Sequence, residues 1–163
     1  MIIPEVKDKE LHRIATTTLI YKPDFRYLII KRAMHKKVMP GKWVPPGGGL
    51  NVDDYINMPT TPEDVVRWPG VMDIALRREI REEVGLDIGQ PELYNNVAFI
   101  RPDGIPVINF CYFAPYVSGE VKLDDDCVDS AWVTLIEAKN YDLIGGIWDE
   151  IHQVDEILKS RVK

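Results

Sequence analysis

The stretch RREIREEVGL, residues 77–86, places Glu79, Glu82 and Glu83 just ahead of a glycine. Met72, Leu76, Ile80 and Val84 recur every four residues through it, which predicts an amphipathic helix from Val71 with Gly85 as a left-handed stop. On such a helix residues three and four apart are neighbours, so the three carboxylates share one face. That grouping is unfavourable by itself. Glu79 and Glu83 repel by about 0.2–0.5 kcal/mol, acids near a helix C-terminus oppose the macrodipole, and Arg78, four residues before Glu82, relieves only part of this. The acids lie beside the apolar stripe, so a cleft at the edge of the core is expected, completed by something cationic.

Outward from the helix, the chain alternates strand and helix signals. RIATTTLIY (13–21) and RYLIIKRA (26–33) are β-branched and apolar runs joined by KPDF, a hairpin signature. MHKKVMPGKWVPPGGGL (34–50) reads as irregular backbone with basic residues, and Gly47–Gly49 as a strand-to-loop turn. Residues 51–70 form a polar excursion punctuated by proline, with a short helix expected after Thr61. Strands are expected at 95–101, 106–117 and 130–135, and a closing helix at Ile147–Lys159. The order strands, helix, strands, helix predicts an α+β fold, a mixed sheet with helices on its faces.

Length and composition fit one domain over residues 1–163: 45% of the residues are hydrophobic and 28% charged. The net charge of −6 argues against a general nucleic-acid binder, though a small phosphorylated ligand needs only local positive charge. The early charges and the absence of a long apolar run point away from a leader or a membrane span, so a cytoplasmic protein is expected. Cys111 and Cys127 are too few for a disulfide framework and read as buried free thiols.

The segment Arg78, Glu79, Ile80, Glu82, Glu83, Gly85, Leu86 resembles the second half of the Nudix box, G-x5-E-x7-R-E-U-x-E-E-x-G-U with U aliphatic. PPGGGL resembles the turn that enters the box, and AWVTL the tryptophan-bearing strand that follows it. The first half departs from the pattern. Eight residues before Arg78 stands Gly70 rather than Glu, and Gly48, the best match to the box glycine, is about sixteen residues too distant, so an insertion at about 51–69 is inferred.

The resemblance implies a Nudix fold, an α-β-α sandwich, and a hydrolase that cleaves a pyrophosphate bond in a nucleoside diphosphate linked to another group. It implies Mg²⁺, or Mn²⁺, held by Glu79, Glu82 and Glu83. Glu79 resembles a further ligand or a base, and Arg78 the arginine that orients the glutamates. A fourth acid is sought in KLDDDCVDSAW, where Asp126 is preferred over Asp124, Asp125 and Asp129, with Glu120 as runner-up. Arg32, Lys42 and Gly48 are candidate substrate contacts. Pro102 is similar in position to a proline associated with ADP-ribose pyrophosphatases, although RPDG is also an ordinary turn sequence. Two alternatives compete with the hydrolase: a non-catalytic nucleotide-binding domain, which predicts losses among the three glutamates, and an isopentenyl-diphosphate-type isomerase, which predicts a cysteine near the glycines. The insertion is expected to form a homodimer interface through Tyr55, Ile56, Met58 and Trp68, with a lid as the competing use.

Overall fold

In a computed structural model, residues 9–60 and 66–162 are described. The short helix expected after Thr61 begins outside those residues. The elements are β1 (Arg13–Tyr21), β2 (Tyr27–Arg32), β3 (Trp43–Val44), β4 (Gly47–Gly49), α1 (Val71–Val84), β5 (Asp87–Ile88), β6 (Glu92–Ile100), β7 (Pro106–Ser118), β8 (Cys127–Val133) and α2 (Ile147–Arg161). The sheet runs β3-β2-β1-β7-β5, with β4 on β1, β6 on β7 and β8 on β2. Among the named strands of the described residues only the β1–β7 pairing is parallel, from Arg13↔Val107 to Tyr21↔Pro115, which makes the sheet mixed as expected.

Alternation along the strands builds two cores, one on each face. In β2, Tyr27 and Ile29 join Leu19, Phe113 and the α2 residues Ile151, Val154 and Leu158, while Leu28 and Ile30 join Ile20, Ala114 and the α1 residues Leu76, Ile80 and Val84. Each fully buried side chain of this size contributes about 1.5–3 kcal/mol relative to exposure. The stripe read from the sequence is therefore what clamps α1 to the sheet. The buried Asp155 beneath α2 is satisfied: Tyr27 Oη donates to Asp155 Oδ1 at 3.0 Å, and Lys159 Nζ lies 2.6 Å from Asp155 Oδ2.

Three expectations need correction. Gly47–Gly49 is a strand rather than a turn, pairing with β1 in the register Thr17↔Gly47, Thr16↔Gly48, Ala15↔Gly49. Propensity argues against a glycine strand, but here a side chain would collide with what lies against the backbone: a Cβ on Gly48 would stand 2.2 Å from the Glu79 carboxyl carbon, and one on Gly49 2.2 Å from the Arg13 guanidinium. β6 starts at Glu92, ahead of the expected Asn95, because a register shift between Leu93 and Asn95 lets the ladder continue to Glu92↔Phe113. β8 starts at Cys127 for a similar reason, its first pair with Arg32 lying beyond another register shift.

Candidate active site

α1 and β4 bring the site together. The Gly47 N–H donates to Glu83 Oε2 at 2.7 Å, and Cys127 Sγ lies 3.4 Å from Glu83 Oε1. Burial pushes the Glu83 carboxyl up to about 7, with Asp124 and Glu79 adding to the effect and the Gly47 and Cys127 donors opposing it. Glu79 fits against Gly48 and is mostly covered, whereas the Glu82 side chain is 61% exposed at the rim. The three glutamates thus differ in setting despite their adjacency in sequence.

Arg78 ties this group to β4 and to the turn that follows it. Its Nη1 lies 3.0 Å from Glu79 Oε1 and donates to Glu82 Oε2 at 2.9 Å, its Nη2 donates to Gly49 O at 3.0 Å and to Asp54 Oδ2 at 3.1 Å, and its Nε donates to Asp54 Oδ1. Asp54 ends a short 3₁₀ turn, Val52–Asp54, and its side chain is 2% exposed. The Asn51 N–H also donates to Asp54 Oδ2, at 2.7 Å, and the Arg78 guanidinium holds the Asp54 carboxyl below the usual range. Asp54 was missed in the sequence. Counting forward would have found it: it is the sixth residue after Gly48, where the box pattern has Glu. The extra residues therefore lie between Asp54 and α1, and the box acid is present as aspartate.

The rest of the excursion folds on itself. The Tyr55 and Trp68 rings have centroids 5.2 Å apart, and Trp68 Nε1 donates to Met58 O at 3.2 Å. Of the apolar residues expected at an interface, Ile56 is exposed, while Tyr55, Met58 and Trp68 are half-buried.

A cavity of about 950 Å³ opens beside the carboxylates. Glu79, Glu83, Gly48 and Arg32 line it, together with Lys36, Lys37, Asp124 and Asp126. Arg32 is braced by its Nε donating to Val38 O at 2.9 Å. Lys42 does not line the cavity; its Nζ is 2.5 Å from Asp142 Oδ1. Asp126 is engaged by Lys36 Nζ and by His35 Nε2, the latter at 3.1 Å, which holds its carboxyl below the usual range. Asp124 is the acid of this loop coupled to Glu83: its N–H donates to Glu83 O at 3.3 Å, and its own carboxyl is pushed up, chiefly by burial.

Glu79, Glu83 and Asp124 concentrate negative charge where water is partly excluded, and the elevated Glu83 carboxyl reflects chiefly that burial, with the neighbouring acids adding to it. Among the described residues, no group of three or more His, Cys, Asp or Glu side chains is already gathered around a metal-sized position. Mg²⁺ normally binds through one or two carboxylates together with water and phosphate oxygens. Hard oxygen donors in this number fit such an ion.

A mixed sheet between two helices, with a glycine strand pressed on a glutamate-bearing helix above a cavity, defines a Nudix fold. Residues 11–151 match the NUDIX domain family model, and the chain belongs to the Nudix family as a pyrophosphohydrolase. Nudix hydrolases generally use a divalent metal. Over 127 residues the chain is 32% identical to the nucleoside triphosphatase NudI of Klebsiella pneumoniae (strain 342), covering 72% of this chain and 79% of that one. The MutT NUDIX hydrolase of Burkholderia pseudomallei superposes with a TM-score of 0.69 at 25% identity, covering 89% of this chain and 99% of the other. The NUDIX domain of Shewanella oneidensis NrtR, crystallised with ADP ribose, shares the fold at a TM-score of 0.68 and 16% identity, covering 91% of this chain and 90% of that one. No helix among the described residues is long and apolar enough to cross a membrane.

Proposed function

We propose that the protein is a Mg²⁺-dependent hydrolase of nucleoside triphosphates. The observation that carries this reading is that Glu79 and Glu83 line the same cavity as Arg32, Lys36 and Lys37. Acids for a cation and bases for phosphate share one cavity. The relative named a nucleoside triphosphatase supports this class over ADP ribose, the ligand of a much more distant neighbour.

In this reading Glu79 and Glu83 hold the ion, with Glu82 and Asp124 or Asp126 completing its surroundings. Bound there, the ion polarises the phosphoryl group and acidifies water. Arg78 fixes the rotamers of Glu79 and Glu82, so the carboxylates are set before substrate arrives. Arg32 and the two lysines neutralise phosphate oxygens. Glu79 accepts the proton of the water that attacks phosphorus. The same reading keeps the protein in the cytoplasm, with no nucleic-acid partner, as a homodimer whose contacts include the exposed Val52, Ile56 and Val66.

The test is a panel of NTPs, dNTPs, ADP ribose and nucleotide sugars, with products resolved by chromatography and ¹⁸O-water locating the attacked phosphorus. Metal-dependent turnover of triphosphates above the others is expected. Turnover of ADP ribose or a nucleotide sugar alone would overturn the substrate class.

A further inference from the structure

The same cavity has a further polar part that phosphate chemistry does not use. It is formed by Asn109 on β7 and by Glu150 on the first turn of α2, both of which line the cavity. Asn109 is 8% exposed, and its Nδ2 donates to Thr17 Oγ1 at 2.9 Å and to Cys111 Sγ at 3.3 Å. The Thr17 hydroxyl is bonded to Cys111, so it accepts from the asparagine, and the amide orientation is thereby set. Both amide hydrogens are spent on the protein. Asn109 Oδ1 has no partner among the described residues and is not sealed from solvent.

Glu150 repeats the pattern. Tyr94 Oη donates to Glu150 Oε2 at 3.0 Å, anchoring the carboxyl from β6, while Oε1 has no partner among the described residues and is likewise not sealed off. The two groups belong to one cluster, because Glu150 lies close enough to Cys111 to raise its thiol electrostatically, and Cys111 touches Asn109. Two anchored acceptors, each with one oxygen unused, line the same cavity as the apolar Val97 and Ile147. Anchored acceptors left unpaired in a half-dry pocket select a ligand that brings donors.

We infer that Asn109 and Glu150 read the base of the substrate and select guanine, whose ring N–H and neighbouring amino group are adjacent donors on one edge. Adenine and cytosine present one amino donor beside a ring acceptor, and uracil presents one N–H flanked by two carbonyls that would face the acceptors unfavourably. This inference rests on the reading of the protein as a nucleoside triphosphatase. It adds which base that activity prefers and which side chains choose it.

The experiment compares kcat/KM for GTP, for ITP, which lacks only the 2-amino group, and for UTP, in the wild type and in Glu150→Gln. The variant keeps the size of the side chain and an oxygen for Tyr94, but presents an amide donor in place of an acceptor. In the wild type GTP should exceed ITP by about tenfold or more, as expected where a site must pair its own polar groups. In Glu150→Gln that ratio should fall to about threefold or less, with UTP unchanged or improved, because only the donor-dependent discrimination has been removed. A second variant, Tyr94→Phe, removes the donor that anchors Glu150 while keeping the glutamate itself, and should narrow the same ratio in the same direction. Wild-type protein that hydrolyses no triphosphate would overturn the proposed function itself. Protein that hydrolyses triphosphates with equal GTP and ITP rates, or a Glu150→Gln variant with the wild-type ratio, would overturn the base assignment alone.

Discussion

Asp54→Asn tests whether the short turn that precedes the insertion supports the site. The substitution keeps the shape of a side chain that is 2% exposed and removes the charge facing Arg78. Two hydrogen bonds from the guanidinium lose their ionic partner. A hydrogen bond to a charged group contributes about 1.5–3 kcal/mol, but Arg78 is 27% exposed and keeps Glu79, Glu82 and Gly49 O as partners. A total loss of about 2–3 kcal/mol follows, near the low end for breaking a largely buried pair. In a chain of this length that corresponds to a fall in Tm of about 4–12 °C. Because Arg78 holds the Asp54 carboxyl below 3.8, the wild type binds fewer protons there than the unfolded chain does, and its advantage is full above that value and lost as pH falls through the folded one. Thermal melts of both proteins at pH 7 and pH 3, followed by circular dichroism, measure the gap directly. Turnover at pH 7 should also fall, since Glu79 and Glu82 lose a fixed arginine. A gap under about 0.5 kcal/mol at pH 7, the range of neutral surface substitutions, or a gap that is the same at pH 3, would refute the charge argument.

The remaining expectations are more direct. Chelator should abolish hydrolysis while the far-ultraviolet circular dichroism is retained, because the two cores do not depend on the ion; turnover that survives chelation would remove the metal from the reaction. Glu83→Gln should lower kcat about a hundredfold or more, the scale of losing one strong electrostatic contributor, and Glu82→Gln should do so as well; steady-state kinetics showing near-normal rates in both would take α1 out of the chemistry. Gly48→Ala should cost activity far more than stability, since the added Cβ meets the movable end of Glu79 rather than backbone; a large loss of Tm with intact turnover would contradict this. Light scattering should give the mass of a dimer, and Ile56→Lys with Val66→Lys should shift it to that of a monomer without changing kcat.

Much of this molecule was legible in its sequence. The four-residue recurrence from Met72 to Val84 is a local property, since a helix with that stripe has one apolar face to bury, and the observed bounds Val71–Val84 with Gly85 in the left-handed conformation follow from it. The strands β1 and β2 and the helix α2 were readable for the same reason, as was the mixed sheet. The glutamate triad was readable because its spacing lies within two helical turns. What tertiary structure alone decided is how groups distant in the chain meet. Gly47–Gly49 has no strand propensity and becomes a strand through its pairing with β1, where a Cβ would meet Thr16 backbone at Gly47, the Glu79 carboxyl at Gly48 and the Arg13 guanidinium at Gly49. Asp54 and Arg78 stand twenty-four positions apart, and only the folded excursion shows them as partners. Glu79, Glu82 and Glu83 look alike in sequence, yet one lies against a glycine, one is exposed and one is held near pH 7, because burial and neighbouring charge are set by the packed chain and not by residue type.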